Sequence, residues 1–348
     1  KKTKAPSFTS QWLEDHPHPL PQAILKARKL NKLRTTFIEK MVFEHLHQGR
    51  IHAQINPLRS DSGGTVSGRF SYSNPNLQQV PVRDPKLGKL IRNLFIPDGK
   101  KYWGVFDYNQ QEPRITVHYA SLIRQAGADQ AAKAYQENTA DFHQIVADLA
   151  GIDRKKAKTI NLGLSYGMGK QRLIEALGVS QHRAESLINN YHRNVPFIKG
   201  LTNACMSSAN KKGYITTILG RRCRFDMYET ANKNSIPLPY NQAVKKWGET
   251  KLIRAYTYKA MNRLIQGSAA DMTKKAMLDL WQEDYVPYIQ VHDELDFGVS
   301  KLKEMENIKE IMESSLKLKV PSIVDVEIGK SWGDAIKPYK EVLNKRHQ

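Results

Sequence analysis

Two apolar strands in this chain end on carboxylates, and that pairing constrains the fold more than any other feature. Tyr102 to Asp107 reads as a short apolar strand that stops at an acid. Pro113, just beyond it, fits only the first turn of a helix, which the sequence carries to about Ile123. Tyr288 to Val299 reads as a β-hairpin. Val291, Leu295, Phe297 and Val299 are its apolar odd positions, and His292-Asp293-Glu294 falls where the turn belongs. Each acid alone has an ordinary explanation: Asp107 would cap a helix, and Asp293 would sit on an exposed turn. Together, two carboxylates on two strands can hold two divalent ions about 4 Å apart.

A third stretch supplies the opposite charge. Read as a helix, Arg154, Lys158, Leu162 and Tyr166 recur every four residues and form one slowly rotating stripe. Its two cations suit a polyphosphate, and its apolar platform and ring suit a sugar or base. An Arg/Lys pair one turn apart is common on any basic helix. The glycines that follow, Gly163, Gly167 and Gly169, are not. They disfavour an ordinary surface helix and suit one that something approaches closely, or one that ends and moves. A phosphate site tolerates acids nearby only when metal ions sit between. The three stretches therefore read as a site for phosphoryl chemistry on a nucleoside triphosphate.

The remaining sequence sets bounds on this reading. A chain of 348 residues buries a sizeable core and is long for one compact domain, so two or three lobes are expected. The net charge of +20 either solubilises the surface or meets a polyanionic partner. Cys205 and Cys223 exclude a disulfide scaffold or zinc ribbon and fit a reducing compartment. No apolar run approaches membrane-spanning length, and Lys1-Lys-Thr-Lys is not followed by a signal core, so a soluble protein acting inside a cell is expected. The missing initiator Met points to a piece of something longer.

Along the chain, residues 1–18 read as an irregular basic lead-in. Leu20 to Leu46 reads as one long helix with an apolar stripe of Leu30, Leu33, Phe37 and Met41. Residues 51–80 are turn-rich and strand-like. Residues 124 to about 210 are helical, with breaks near Gly127, Gly151 and Gly178. Gly213 to Gly220 alternates like a strand and runs into Arg221, Arg222 and Arg224. Residues 229–240 read as a loop between lobes, and Lys245 to Glu283 as helix.

Asp107-Tyr-Asn-Gln-Gln-Glu112, Arg154-x3-Lys158-x7-Tyr166-Gly167 and Val291-His-Asp-Glu294 resemble, in order and spacing, motifs A, B and C of the DNA polymerase I family, family A. Leu20 to Leu33 resembles its thumb helix. Thr65-Val-Ser-Gly-Arg69-Phe-Ser and Asn74 to Pro81 resemble a DNA-contacting palm segment. Asn262-x3-Gln266-Gly-Ser-Ala-Ala-Asp271 resembles the helix that tracks the primer–template minor groove. Gln110-Gln-Glu-Pro-Arg114 is closer to bacteriophage members than to bacterial ones.

The resemblance covers nearly the whole chain. It implies an α/β (α+β) right-hand polymerase fold with an antiparallel palm sheet, helical fingers and a partial helical thumb. The thumb would occupy 1–50, the palm 51–123 and 240–348, and the fingers 124–239. The implied activity is template-directed addition of deoxynucleotides to a primer 3′-end by two-metal phosphoryl transfer. The implied partners are primer–template DNA and dNTPs, met as a monomer in a host cytoplasm if the origin is a phage. No exonuclease acidic motif occurs, so no proofreading is expected from these residues.

Site roles follow from the same resemblance. Asp107, Asp293 and the Tyr108 carbonyl would hold two Mg²⁺ ions, with Mn²⁺ as a substitute, and Glu294 would assist at the primer end. Arg154, Lys158 and His143 would contact the triphosphate, and Lys158 would also protonate the leaving pyrophosphate. Gln110 would join the nucleotide site. Tyr166 and Glu112 would lie under the sugar, where Glu112 leaves no room for a 2′-hydroxyl. Arg69, Asn262, Gln266 and His292 would contact DNA. Two positions depart from the pattern: Leu162 stands where Phe or Tyr is usual, and Tyr258 where a minor-groove Arg is usual. A single-subunit RNA polymerase and a catalytically silent DNA-binding module are the rival readings. Glu112 and the Asp293-Glu294 pair argue against the first, and the intact Asp107 and Asp293 against the second.

Overall fold

The structure, a computed structural model, describes residues 8–60, 63–81, 86–232 and 235–344, apart from the side chains at 155, 156, 162, 165, 343 and 344. The first seven residues of the basic lead-in, and the side chain of Leu162, lie outside the described residues.

The site is built on a five-stranded antiparallel sheet. Its strands are β1 (Tyr102–Tyr108), β2 (Ile289–Val291), β3 (Glu294–Val299), β4 (Val324–Gly329) and β5 (Lys337–Pro338), in spatial order β2-β3-β1-β4-β5. β1 is central and buried on both faces, which is why it reads as a continuous apolar run rather than an alternating one. Strand side chains alternate between faces. Tyr102, Phe106 and Tyr108 enter one core with Leu295, Phe297 and Val326. Trp103 and Val105 enter a second with Trp332, Met41 and Phe37. By the same alternation, Asp107 belongs to the second face. Burying a side chain such as Phe106, which is 0% exposed, is worth about 1.5–3 kcal/mol.

Helices cover the first core. They include α1 (Gln111–Leu122), directly after β1, then α2 (Phe142–Ala150), α3 (Arg154–Ser165), α4 (Pro196–Lys212), α5 (Ala260–Gln282) and α6 (Leu302–Ser314). α5 packs on α1, α4 and α6. Gly267 in α5 permits a close approach, because a Cβ there would lie 2.7 Å from the Thr217 methyl. No helix among the described residues is long and apolar enough to cross a membrane.

Several expectations need correction. The helix near the start is regular from Pro19 to Lys32 and then widens to i→i+5 bonding over Leu33–Phe43, with Leu30 left 45% exposed. Ser10–Asp15 is helical, capped by the Thr9 hydroxyl accepting from Trp12 N, although the lead-in reads as irregular. The stretch Gly213 to Arg224 is a hairpin, Tyr214–Thr216 against Arg222–Arg224, turned at Gly220 with φ +85°. Met227–Thr230 is a strand where a loop was expected to begin. The expected helix Lys245 to Glu283 is interrupted. One helix ends at Trp247, and α5 begins only at Ala260. Between them Gly248 and Tyr256 take left-handed φ values of +78° and +62°, which no helix accommodates. The breaks at Gly127, Gly151 and Gly178 are where the sequence puts them, each at a positive φ.

Candidate active site

Strand register assembles the acids. Asp107 lies opposite Glu294 on one side and opposite Asp325 on the other. The hairpin turn is His292-Asp293, with His292 at φ +57°, and Tyr108 N donates to the Asp293 carbonyl at 3.2 Å. Asp107 does not cap the helix that follows. That place is taken by Gln110 in a left-handed conformation, which supplies no side-chain cap. Asp107 is thus held by its strand and not by a helix end.

This concentration of carboxylates carries an electrostatic cost. Burial first, then Asp293, Glu294 and Asp325, push Asp107 up to about 8, with Lys158 pulling the other way. Asp293 is also raised by burial, against the pull of its own backbone, Arg69, His292 and Lys158. A hard divalent cation fits here, since the donors are oxygens and its charge would relieve their repulsion. Among the described residues no group of three or more His, Cys, Asp or Glu side chains is arranged to hold a metal ion by itself.

Behind these acids lies a residue the sequence reading missed. Asp296 is 0% exposed and accepts a hydrogen bond from Trp103 Nε1 at 3.0 Å. Glu294, next to it on the same face, contacts both Asp296 and the Trp332 indole, and burial raises both acids. No local signal marks it: in β3 the acid alternates with Leu295 and Phe297 as a solvent-facing residue would, and only the structure shows that both faces of the strand are covered.

On α3, Ala157, Ile160, Asn161 and Leu164 are buried at i, i+3, i+4 and i+7, and the helix packs against α2. Arg154 and Lys158 are therefore on the exposed side. Arg154 Nε donates to Asp141 at 2.9 Å, and Asp141 also caps α2 by accepting from Gln144 N. Tyr166 sits just beyond the helix, in a turn where Gly167 takes φ +78°. Met168 folds back against Gly163, where a Cβ would displace the end of the Met168 side chain. His143 is buried, with Nδ1 bonded to Asn161, and Asn161 Oδ1 accepts from the Tyr191 hydroxyl at 3.1 Å. Burial, with Lys158 and Arg154 nearby, lowers the His143 pKa. Sequence reasoning passed over Asn161, which sits one residue from Leu162 on the inward face.

Glu112 joins the two halves. It accepts from Arg69 Nη2 at 2.5 Å and from the Tyr166 hydroxyl. Tyr166 is raised above the usual phenol range by burial and by this carboxylate. Arg69 is therefore paired with Glu112 and does not line the cleft that holds Asn262 and Gln266. Asn262 and Gln266 do come together there. They line an open cleft of about 780 Å³ with Tyr166, Arg172 and Tyr258. Gln110 is engaged elsewhere: its Oε1 accepts from the Tyr135 hydroxyl and its Nε2 reaches Asn109.

This arrangement has relatives. The profile of DNA polymerase family A matches residues 1–334. A DNA-directed DNA polymerase of Pseudomonas phage M6 is 37% identical, with 95% of this chain and 54% of that protein aligned. DNA polymerase I of Geobacillus stearothermophilus is 33% identical over 96% of this chain and 37% of its own length. A solved structure, the POL domain of Pol1 from M. smegmatis in complex with DNA primer-template and dNTP, superposes with a TM-score of 0.74 at 27% identity, covering 96% of this chain and 57% of that one. The chain spans about half the length of the phage relative it matches. With its antiparallel sheet, its acid-tipped strands and a profile match across almost all of its length, the chain belongs to DNA polymerase family A.

Proposed function

We propose that this chain extends a DNA primer on a template, adding deoxynucleotides to the 3′-end. The observation that carries the reading is the register that sets Asp107 against Glu294 and bonds Tyr108 to Asp293, gathering the acids at one end of the sheet. Asp107, Asp293 and the Tyr108 carbonyl hold Mg²⁺, with Mn²⁺ as a substitute. Bound there, divalent ions would supply charge neutralisation for phosphoryl transfer to a 3′-hydroxyl with loss of pyrophosphate. Lys158 and Arg154 bind the triphosphate, and His143, with Nδ1 already committed to Asn161, offers Nε2 to it. Lys158 hands a proton to the pyrophosphate. Tyr166 and Glu112 lie under the sugar and exclude a 2′-hydroxyl. Glu294 orients the primer end. Asn262, Gln266 and His292 contact the duplex, and Arg69 does so once released from Glu112. A Gln110–nucleotide contact would require Gln110 to exchange its present partners. The chain acts as a monomer, and the phage relatives support work in a host cytoplasm.

Primer extension tests this. With Mg²⁺ the protein should add the templated deoxynucleotide, and Asp293→Ala should bind primer–template without extending it. Normal extension by Asp293→Ala would remove the metal assignment. Ribonucleotide addition as fast as deoxynucleotide addition would favour an RNA polymerase.

A further inference from the structure

Buried polar side chains from three helices form one hydrogen-bonded chain beside the nucleotide site. His143 is the second residue of α2, Asn161 lies on the inward face of α3, and Tyr191 belongs to the helix Gln181–Asn194. They are 4%, 4% and 2% exposed, so bulk water does not compete for their hydrogen bonds. The Tyr191 hydroxyl donates to Asn161 Oδ1 at 3.1 Å, and Asn161 Nδ2 lies 3.0 Å from His143 Nδ1. The same two helices are tied a second time at the surface, by Arg154 to Asp141.

The chain has a direction. An amide nitrogen donates and never accepts. A ring nitrogen that faces it must present a lone pair, so the imidazole proton goes to Nε2. The phenol sets the amide, because its donation to Oδ1 turns Nδ2 toward the ring. The opposite amide orientation would put the proton on Nδ1 and leave Nε2 as a bare lone pair. Such a lone pair repels an anion. The charged groups that act on the ring are Lys158 and Arg154 from α3 and Asp141 just before α2. Burial first, then the two cations, hold the ring below its ordinary pKa, so it is uncharged at neutral pH.

We propose that Tyr191 and Asn161 are positioning residues that lock His143 as the Nε2–H tautomer, so that an uncharged N–H, rather than a third cation, meets the triphosphate. The tautomer rests on these three side chains alone, and its use on a triphosphate rests on the polymerase reading above. Arg154 and Lys158 already supply positive charge on this side of the site. A neutral donor adds direction to the contact, and it holds the departing pyrophosphate less tightly than an imidazolium would.

The test is the ring nitrogen NMR spectrum of histidine-labelled protein, with the His143 signals identified by their loss in His143→Gln, alongside single-nucleotide insertion kinetics. In the wild type at neutral pH, Nε2 should read as protonated and Nδ1 as bare. Asn161→Asp offers only acceptors to the ring and should protonate Nδ1. Tyr191→Phe removes one oxygen and frees the amide to turn. It should give mixed tautomers and raise KM for the deoxynucleotide about three- to tenfold, with a smaller change in kcat. In the His143→Gln background, Tyr191→Phe should add nothing to KM. The proposal is overturned if Nδ1 carries the proton in the wild type, or if the Tyr191→Phe effect on KM persists in His143→Gln. It is also overturned if Tyr191→Phe lowers the melting temperature but leaves tautomer and KM as they were. A wild type that shows the expected tautomer but inserts no nucleotide removes the polymerase reading, and with it the triphosphate half of the proposal, while the spectrum still decides the tautomer.

Discussion

The acidic end of the sheet and the outward side of α3 carry opposite charges and are held in opposite ways. Asp107 and Asp293 are half-buried between strands whose neighbours are fully buried, so their positions are fixed by two cores and by backbone register. Arg154 and Lys158 are exposed, on a helix bounded by glycines at φ +67° and φ +78°. The acids are desolvated and repel one another before any ligand arrives. The cations keep much of their hydration on the exposed face of their helix, with Arg154 paired to Asp141. A buried anionic floor and an exposed cationic roof suit a substrate that brings its own negative charge.

Mutations should separate floor from roof. The largest effect is expected at the floor. Asp107→Ala should lower kcat by on the order of 10³-fold or more in rapid-quench primer extension, yet raise the melting temperature of the metal-free protein by relieving repulsion. A loss of both activity and stability would show that Asp107 holds the sheet rather than a ligand. At the roof, Lys158→Ala should reduce kcat by about 10²-fold and leave the melting temperature almost unchanged, as the side chain is exposed. If KM rises and kcat holds, the cation binds triphosphate without serving the chemical step.

Between the two, Glu112→Ala should erode discrimination against ribonucleotides by roughly 10- to 200-fold, read as the ratio of kcat/KM for matched deoxy and ribo substrates. An unchanged ratio would move the sugar gate elsewhere. The smallest signal is a proton count. Asp107, at about 8, is mostly protonated at pH 7 without metal, so Mg²⁺ binding should release close to one proton, seen by calorimetry in buffers of different ionisation enthalpy. Release should fade as pH passes 8. Because this carboxyl is raised in the folded state, its contribution to metal-free stability is complete below about 4 and lost as pH rises through about 8. Mg²⁺ should restore what is lost.

Much of the floor was legible in the sequence because local pattern and register agree there. An apolar run ending at Asp107, a proline two residues into the next helix and an alternating hairpin leave little freedom. The glycine breaks of the helical lobe were legible for the same reason, since left-handed backbone favours that residue. What escaped depends on partners distant in sequence. Tyr256 takes a left-handed conformation that nothing local announces, so of the interruption before α5 only the break at Gly248 was open to a sequence reading. Asn161 looks like any polar helix residue until His143 and Tyr191 close around it. Asp296 reads as a solvent-facing alternate until β1 covers it with Trp103. Arg69 carries a DNA-contact signature, but its ion pair with Glu112 spans 43 positions.

That ion pair has a further consequence. Glu112 accepts from Arg69 on one side and from Tyr166 on the other, so one carboxylate ties the segment before the sheet to the end of α3. A nucleotide that draws Tyr166 aside leaves Glu112 to Arg69 alone, and DNA that draws Arg69 aside leaves it to Tyr166. The side chain thus works like a shared clasp: releasing either strap changes the tension on the other.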